Sequence, residues 1–370
     1  MNTAQQLLAA GQSVWYDNIQ RKLIRNGTLA EMIARGEIRG VTSNPAIFMN
    51  AIAKSSDYDE TLVPMAKQGC TAEEIYYQAA VEDIQATADL FLPLYQSSQG
   101  GDGYVSLEVS PYLAHETAAT AAEAKQLWQR VNRPNLMIKI PATLEGLPAV
   151  TEVIAAGINV NVTLIFSRER YAQVLEAYMA GLEQRLALGL PVDGIASVAS
   201  FFVSRLDTHL DPRLQAMSGR AGEIAVNVMG KAAVANARLA YADYRKVTAG
   251  KRWQALASQG ARVQRPLWAS TGTKNPAYSD VLYIEELVGQ NTVNTIPPVT
   301  LEAFLDHGVV RPGSLEEAAQ AQVVMDTLAD LCIDLIAVTD QLETEGVKSF
   351  SEAFDALLAA VESRRLAALT

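Results

Sequence analysis

The chain has 370 residues, 49% of them apolar and 19% charged, with a net charge of −11. That composition supports a large buried core and argues against bulk disorder. The acidic balance argues against a nucleic-acid partner, because phosphate backbones attract basic surfaces. An anionic small substrate stays open, since it needs only a few cations at one pocket.

The opening stretch MNTAQQLLAAGQSVWYD lacks the basic start and apolar core of a secretion signal. No segment approaches the ~18 uninterrupted apolar residues that span a bilayer. A cytoplasmic protein with no membrane partner is expected, as a monomer or a homodimer. Cys70 and Cys332 lie far apart without metal-ligand spacing and read as two free thiols. His115, His209 and His307 form no HExxH motif and no close pair, so no metal site is expected. Any carbon–carbon bond chemistry then needs an electron sink from the protein itself.

Short β-rich runs alternate with longer helical runs. The strand candidates in chain order are 13–19, 40–45, 104–110, 136–142, 158–166, 195–203, 265–273 and 292–298. Eight strands separated by helix-length segments predict parallel βαβ units closed into a (β/α)8 TIM barrel, an α/β fold. The spacing predicts helices over 116–131, 167–189 (with Ser167 as N-cap and an end near Gly189) and 222–247. Two additions exceed a minimal barrel. Residues 46–100 carry about three helices after the second strand. Residues 314–370 add two more, one ending near Leu342 and one starting near Ser351. No Pro- or Gly-rich linker divides the chain, so residues 1–370 read as one domain.

In a strand, alternate residues face opposite sides. A barrel wants aliphatics on its outer face, against the helices, while its inner face can carry function near the strands' C-terminal ends. Asn159, Asn161 and Thr163 share one face of the fifth strand, opposite Val160, Val162 and Leu164. Three polar residues on a core strand need a ligand or water to satisfy them, or else mark a hydrated barrel interior. In the third strand Ser106, Glu108 and Ser110 alternate with Val105, Leu107 and Val109, so Glu108 points inward.

Lys139 lies between Ile138 and Ile140, which places its amine inside the barrel. Burial disfavours an ammonium. A neutral amine attacks a ketone, and the resulting iminium is an electron sink. A structural Lys139–Glu108 ion pair is the alternative. Asp17 and Asn44 come near the ends of the first two strands, where a barrel carries catalysis or ordinary helix caps. Arg205 and Lys274 follow the sixth and seventh strands, at the late loops where barrels often bind phosphate. For Arg205 a salt bridge to Asp207 is the competing reading.

VTSNPAIF (41–48), LEVSP (107–111), LMIKIPAT (136–143), INVNVTLIFS (158–167) and SVASFFVSRLD (197–207) resemble transaldolase signatures, in the order the family has them. The segment 269–304 is similar to the family's last strands, and with the chain's length it resembles a longer bacterial branch. The resemblance implies a cofactor-free transfer of a dihydroxyacetone unit between sugar phosphates, in the non-oxidative pentose phosphate pathway. It implies that Lys139 is the Schiff-base lysine, that Glu108 and Thr163 hold a catalytic water, and that Asp17 is the acid/base at the C4 hydroxyl. It implies further that Asn44, Asn161 and Ser200 bind the dihydroxyacetone hydroxyls and that Arg205 binds phosphate. Where many members carry Ser-Phe-Arg-Asn, this chain has Ser-Thr-Gly-Thr-Lys-Asn, so Lys274 stands in place of the second phosphate-binding arginine and lacks its bidentate fork. A fructose-6-phosphate aldolase and a non-catalytic sugar-phosphate-binding barrel are the rival functions.

Overall fold

The strands are β1 (Gln12–Tyr16), β2 (Gly40–Val41), β3 (Tyr104–Glu108), β4 (Leu136–Pro141), β5 (Val160–Ile165), β6 (Ser197–Phe202), β7 (Arg265–Ala269) and β8 (Thr292–Ile296). They appear in a computed structural model that describes residues 1–53 and 55–369. Lys54 and Thr370, which fall inside the two additions read from the sequence, lie outside the described residues. Each strand pairs in parallel with its neighbours, and β8 closes on β1, so the described strands form one closed barrel in chain order. All eight predicted strands are present, with shorter ends than the sequence runs suggested.

The outer face is aliphatic, as the alternation predicted. Val105, Leu107, Ile138, Ile140, Val160 and Val162 are fully buried between the sheet and the surrounding helices. The register pairs Glu108 with Lys139 and Lys139 with Asn161, which sets those three side chains side by side on the inner face. Leu164 departs from the expected alternation. It has φ +60, and the β5–β6 register shifts between Val162 and Ile165, so β5 bulges directly after Thr163.

A buried charge cluster holds the N-terminal floor of the barrel. Asp102 accepts from Ser13 Oγ at 2.6 Å, Trp15 Nε1 at 3.2 Å, Arg39 Nε at 2.7 Å and Arg265 Nη2 at 3.1 Å. Burial alone would raise the Asp102 pKa, but the two arginines outweigh it and hold the carboxyl below its ordinary range. Asn159 belongs to this end as well. Its Nδ2 donates to the Pro134 and Leu136 carbonyls, and its Oδ1 accepts from Ala196 N. Protein backbone therefore satisfies Asn159 without a ligand.

Among the described residues the addition after β2 holds the three expected helices, Pro45–Ala53, Asp59–Lys67 and Ala72–Ser97. Arg21 pins the longest of them through Asp83 at 2.7 Å and Glu82 at 2.9 Å. Ser167 caps Arg168–Ala187 as expected, accepting from Arg170 N. Three helix boundaries differ from expectation. Segment 222–247 is two helices, Gly219–Ala225 and Ala232–Thr248. They are parted by a turn in which Gly230 has φ +67 and donates its N–H to Asp211 Oδ1 at 2.9 Å.

The C-terminal helices are Ala318–Asp330 and Leu335–Ala367. They break at Cys332, which has φ +58, and Asp334 caps the second helix through Ala337 N. The expected break before Ser351 does not occur. Gly346 continues the helix because it lets the backbone approach the barrel rim, where a Cβ would stand 3.0 Å from Leu164 Cδ2 and 3.4 Å from the Phe166 ring. No described helix is long and apolar enough to cross a membrane.

Candidate active site

β4 carries Lys139 into the barrel with its side chain 6% exposed. Its Nζ donates to the Ser43 carbonyl at 3.0 Å and lies 3.6 Å from Glu108 Oε2. The second distance is that of an ion pair, too long for a hydrogen bond. Neither Glu108 oxygen has a protein hydrogen-bond partner. Burial raises the Glu108 pKa from 4.5 to about 7, with Lys139 pulling it down and Asp17 adding to the rise. A carboxyl poised there can give and take a proton near neutral pH. The two readings of this pair in the sequence, ion pair and chemistry, are thus compatible in one geometry.

Thr163, one strand over, is fully buried, and its Oγ1 also lacks a protein partner. Buried polar atoms in this state call for a substrate or solvent oxygen. Asn161 is already engaged, since Ser200 Oγ donates to its Oδ1 at 2.6 Å and its Nδ2 donates to Ser106 Oγ at 3.1 Å. This chain of bonds fixes the amide's orientation across β3, β5 and β6.

Asp17 follows β1, and its N–H donates to the Ile296 carbonyl of β8 at 3.0 Å. Thr42 Oγ1 donates to Asp17 Oδ1 at 2.7 Å and sits 2.5 Å from Thr295 Oγ1. With the Thr42 proton committed to Asp17, Thr295 donates in that pair. Burial raises the Asp17 pKa, opposed by the Thr42 hydrogen bond and the positive charges of Lys139 and Lys274. Asn44 caps the helix Pro45–Ala53 by accepting from Ile47 N at 3.0 Å, which leaves its amide N–H groups for a ligand.

Arg205 opens the helix Ser204–Gln215. Its guanidinium carbon lies 5.0 Å from the Phe202 ring centroid. Burial lowers its pKa, opposed by Glu345 of the C-terminal helix. The competing salt bridge to Asp207 does not form, because Asp207 accepts from Ala233 N and Tyr283 Oη, each at 2.8 Å. Lys274 is exposed on the loop after β7, with charge that reaches Asp17. The loops bearing the two cations are tied together: Ser204 N donates to the Ser270 carbonyl at 3.1 Å, and the two hydroxyls meet at 3.0 Å.

Among the described residues no group of His, Cys, Asp and Glu side chains has the arrangement of a metal site. Both cysteines are free thiols.

The family described as transaldolase/fructose-6-phosphate aldolase matches residues 14–361. The chain belongs to this transaldolase family. It is 51% identical to a transaldolase of Saccharopolyspora erythraea, across 96% of this chain and 95% of the relative. It is 50% identical to a transaldolase of Thermobifida fusca across 99% of both chains. Identity to a transaldolase of Mycobacterium tuberculosis is 48%, across 95% of this chain and 94% of the relative.

Within this transaldolase-family barrel, Lys139, Glu108, Thr163, Asn161, Ser200, Asp17 and Asn44 come from six strands and their C-terminal ends. Three contributors had no signal in the sequence. The Ser43 carbonyl is backbone, Thr295 sits in an ordinary β-rich run, and Phe350 reads as one more apolar position of a helix. Phe350 places its ring centroid 5.8 Å from Lys139 Nζ.

Proposed function

We propose that the chain acts as a transaldolase through a Schiff base on Lys139, with residues 1–370 as one catalytic barrel domain. Lys139 Nζ adds to the C2 ketone of fructose 6-phosphate or sedoheptulose 7-phosphate. Water leaves to give an iminium, with Glu108 supplying the proton and Thr163 holding the departing oxygen. Asp17 takes the C4 hydroxyl proton, the C3–C4 bond breaks, and its electrons flow into the iminium to give an enamine. The aldose phosphate departs. Erythrose 4-phosphate or glyceraldehyde 3-phosphate then accepts the enamine carbon, Asp17 returns its proton to the new hydroxyl, and hydrolysis frees Lys139. The iminium is the electron sink, so no step draws on a metal or organic cofactor.

Asn44, Asn161 and Ser200 bind the hydroxyls of the three-carbon unit, and Arg205 with Lys274 binds the phosphate. The proposed enzyme is cytoplasmic and acts as a monomer or a homodimer. The observation that carries the reading is the convergence of a buried amine and a carboxyl poised near pH 7, 3.6 Å apart on the barrel's inner face. Borohydride trapping with fructose 6-phosphate, beside a coupled transfer assay with erythrose 4-phosphate, tests it. Wild type is expected to be labelled and Lys139→Ala to be neither labelled nor active. Labelling of Lys139→Ala to the wild-type extent overturns the assignment.

A further inference from the structure

Lys139 Nζ has its polar partners at the Ser43 carbonyl after β2 and at Glu108 on β3, whereas the group that meets it from the C-terminal helix is a phenyl ring. Phe350 is 9% exposed and lies on the helix Leu335–Ala367. That helix is fastened on both sides of it. Before Phe350, Glu343 pairs with Arg170 at 3.0 Å and Gly346 packs against Leu164 and Phe166. After it, Asp355 accepts from Tyr112 Oη, and Arg364 donates to the Ile52 and Ser55 carbonyls at 2.5 and 2.6 Å. Phe354, one turn on, stacks edge-on against Tyr76. The ring is therefore held over the amine by a rigid element.

We propose that Phe350 is a specificity-determining residue that helps transfer of the three-carbon unit outrun its release as free dihydroxyacetone. The inference rests on the Schiff-base reading of Lys139. After C3–C4 cleavage the enamine carries an electron pair at C3, two bonds from Nζ. In transfer, that pair forms the new bond to the acceptor's carbonyl carbon, and the proton on Asp17 goes to the new hydroxyl. In release, C3 instead takes a proton, water adds at C2, and the Lys139 amine leaves. The net reaction is then cleavage of the ketose phosphate to an aldose phosphate and dihydroxyacetone. Both routes end in hydrolysis at C2, so the branch point is protonation at C3. A fixed apolar ring on the solvent side excludes the water that would deliver that proton, and its face favours the cationic iminium.

The test compares wild type, Phe350→Ala and Phe350→Leu. Free dihydroxyacetone and transfer to erythrose 4-phosphate are measured from fructose 6-phosphate, with borohydride trapping in parallel. Phe350→Ala is expected to raise the release-to-transfer ratio about tenfold or more, and Phe350→Leu by a smaller factor, both with trapping retained. If Phe350→Ala does not fold, a rise with Phe350→Leu supports the proposal and an unchanged ratio overturns it. A ratio within about twofold of wild type in the folded variants, with trapping intact, reduces Phe350 to helix packing. No trapping in wild type overturns the Schiff-base reading itself, a distinguishable failure.

Discussion

Glu108→Gln removes a carboxylate that its surroundings press towards the protonated form. Burial lifts its pKa from 4.5 to about 7, and a rise of that size sets about 3 kcal/mol against the ionised form. Below pH 4.5 the folded and unfolded chains both keep the proton, and nothing is lost. From there to about 7 the unfolded chain gives up its proton first, so stability falls, and above about 7 the loss is complete. The attraction of Lys139 at 3.6 Å is already contained in that value, and relaxation of the buried site around the carboxylate offsets part of the gain. The expected net stabilisation at pH 8 is about 1–2 kcal/mol.

With roughly 2 cal/mol/K of unfolding entropy per residue, that gain is about 1–3 °C in Tm, and it should vanish at pH 4.5. The same substitution is expected to lower kcat by about 10²- to 10⁴-fold and to erase the limb of the kcat/KM profile near pH 7. Thermal melts at the two pH values and a pH–rate profile read both effects. A Tm difference independent of pH, with the limb near 7 unchanged, refutes the placement of this proton on Glu108.

Arg205→Ala is expected to raise KM for ketose phosphates by about 10–100-fold, and exposed Lys274→Ala by less than tenfold; initial-rate kinetics check the order of the two. Asp102→Ala strips the barrel floor of the carboxylate shared by Arg39 and Arg265 and should destabilise the fold by about 3–5 kcal/mol. Because the Asp102 pKa is held low, its contribution is present above the ordinary carboxylate range and is lost as pH falls through its folded value; thermal melts across pH 3–7 follow it. Gly346→Val wedges the C-terminal helix off Leu164 and should cost about 1–3 kcal/mol, read as faster amide hydrogen exchange confined to residues 335–367.

Period-two alternation made much of the site legible. Ile138 and Ile140 point outward, so Lys139 has to point in, and the same logic applies to Glu108 and Asn161. Alternation gives a face but no depth. Asn159 and Asn161 look equivalent in the sequence, yet Asn159 sits at the floor against backbone and Asn161 lies level with Lys139. The bulge at Leu164 was illegible because a left-handed leucine carries no compositional mark. The break at Cys332 was hidden for the same reason, and the continuity of the helix through Gly346 follows only from what that glycine packs against. The pairing of Asp102 with Arg265 spans 163 residues and follows only from closure of the barrel. Phe350 lies beyond every strand in the chain, so its approach to Lys139 depends on where a whole helix docks.

The docking of that helix has a bearing on biosynthesis. Leu335–Ala367 follows all eight strands, so during translation the residues around Lys139 emerge before the element that covers them. A partly made chain has a complete set of barrel strands and an amine still open to solvent and to stray carbonyl compounds. Docking of Leu335–Ala367 brings Phe350 to Lys139, so under the Schiff-base reading the shielding of that amine waits on an element made after the barrel.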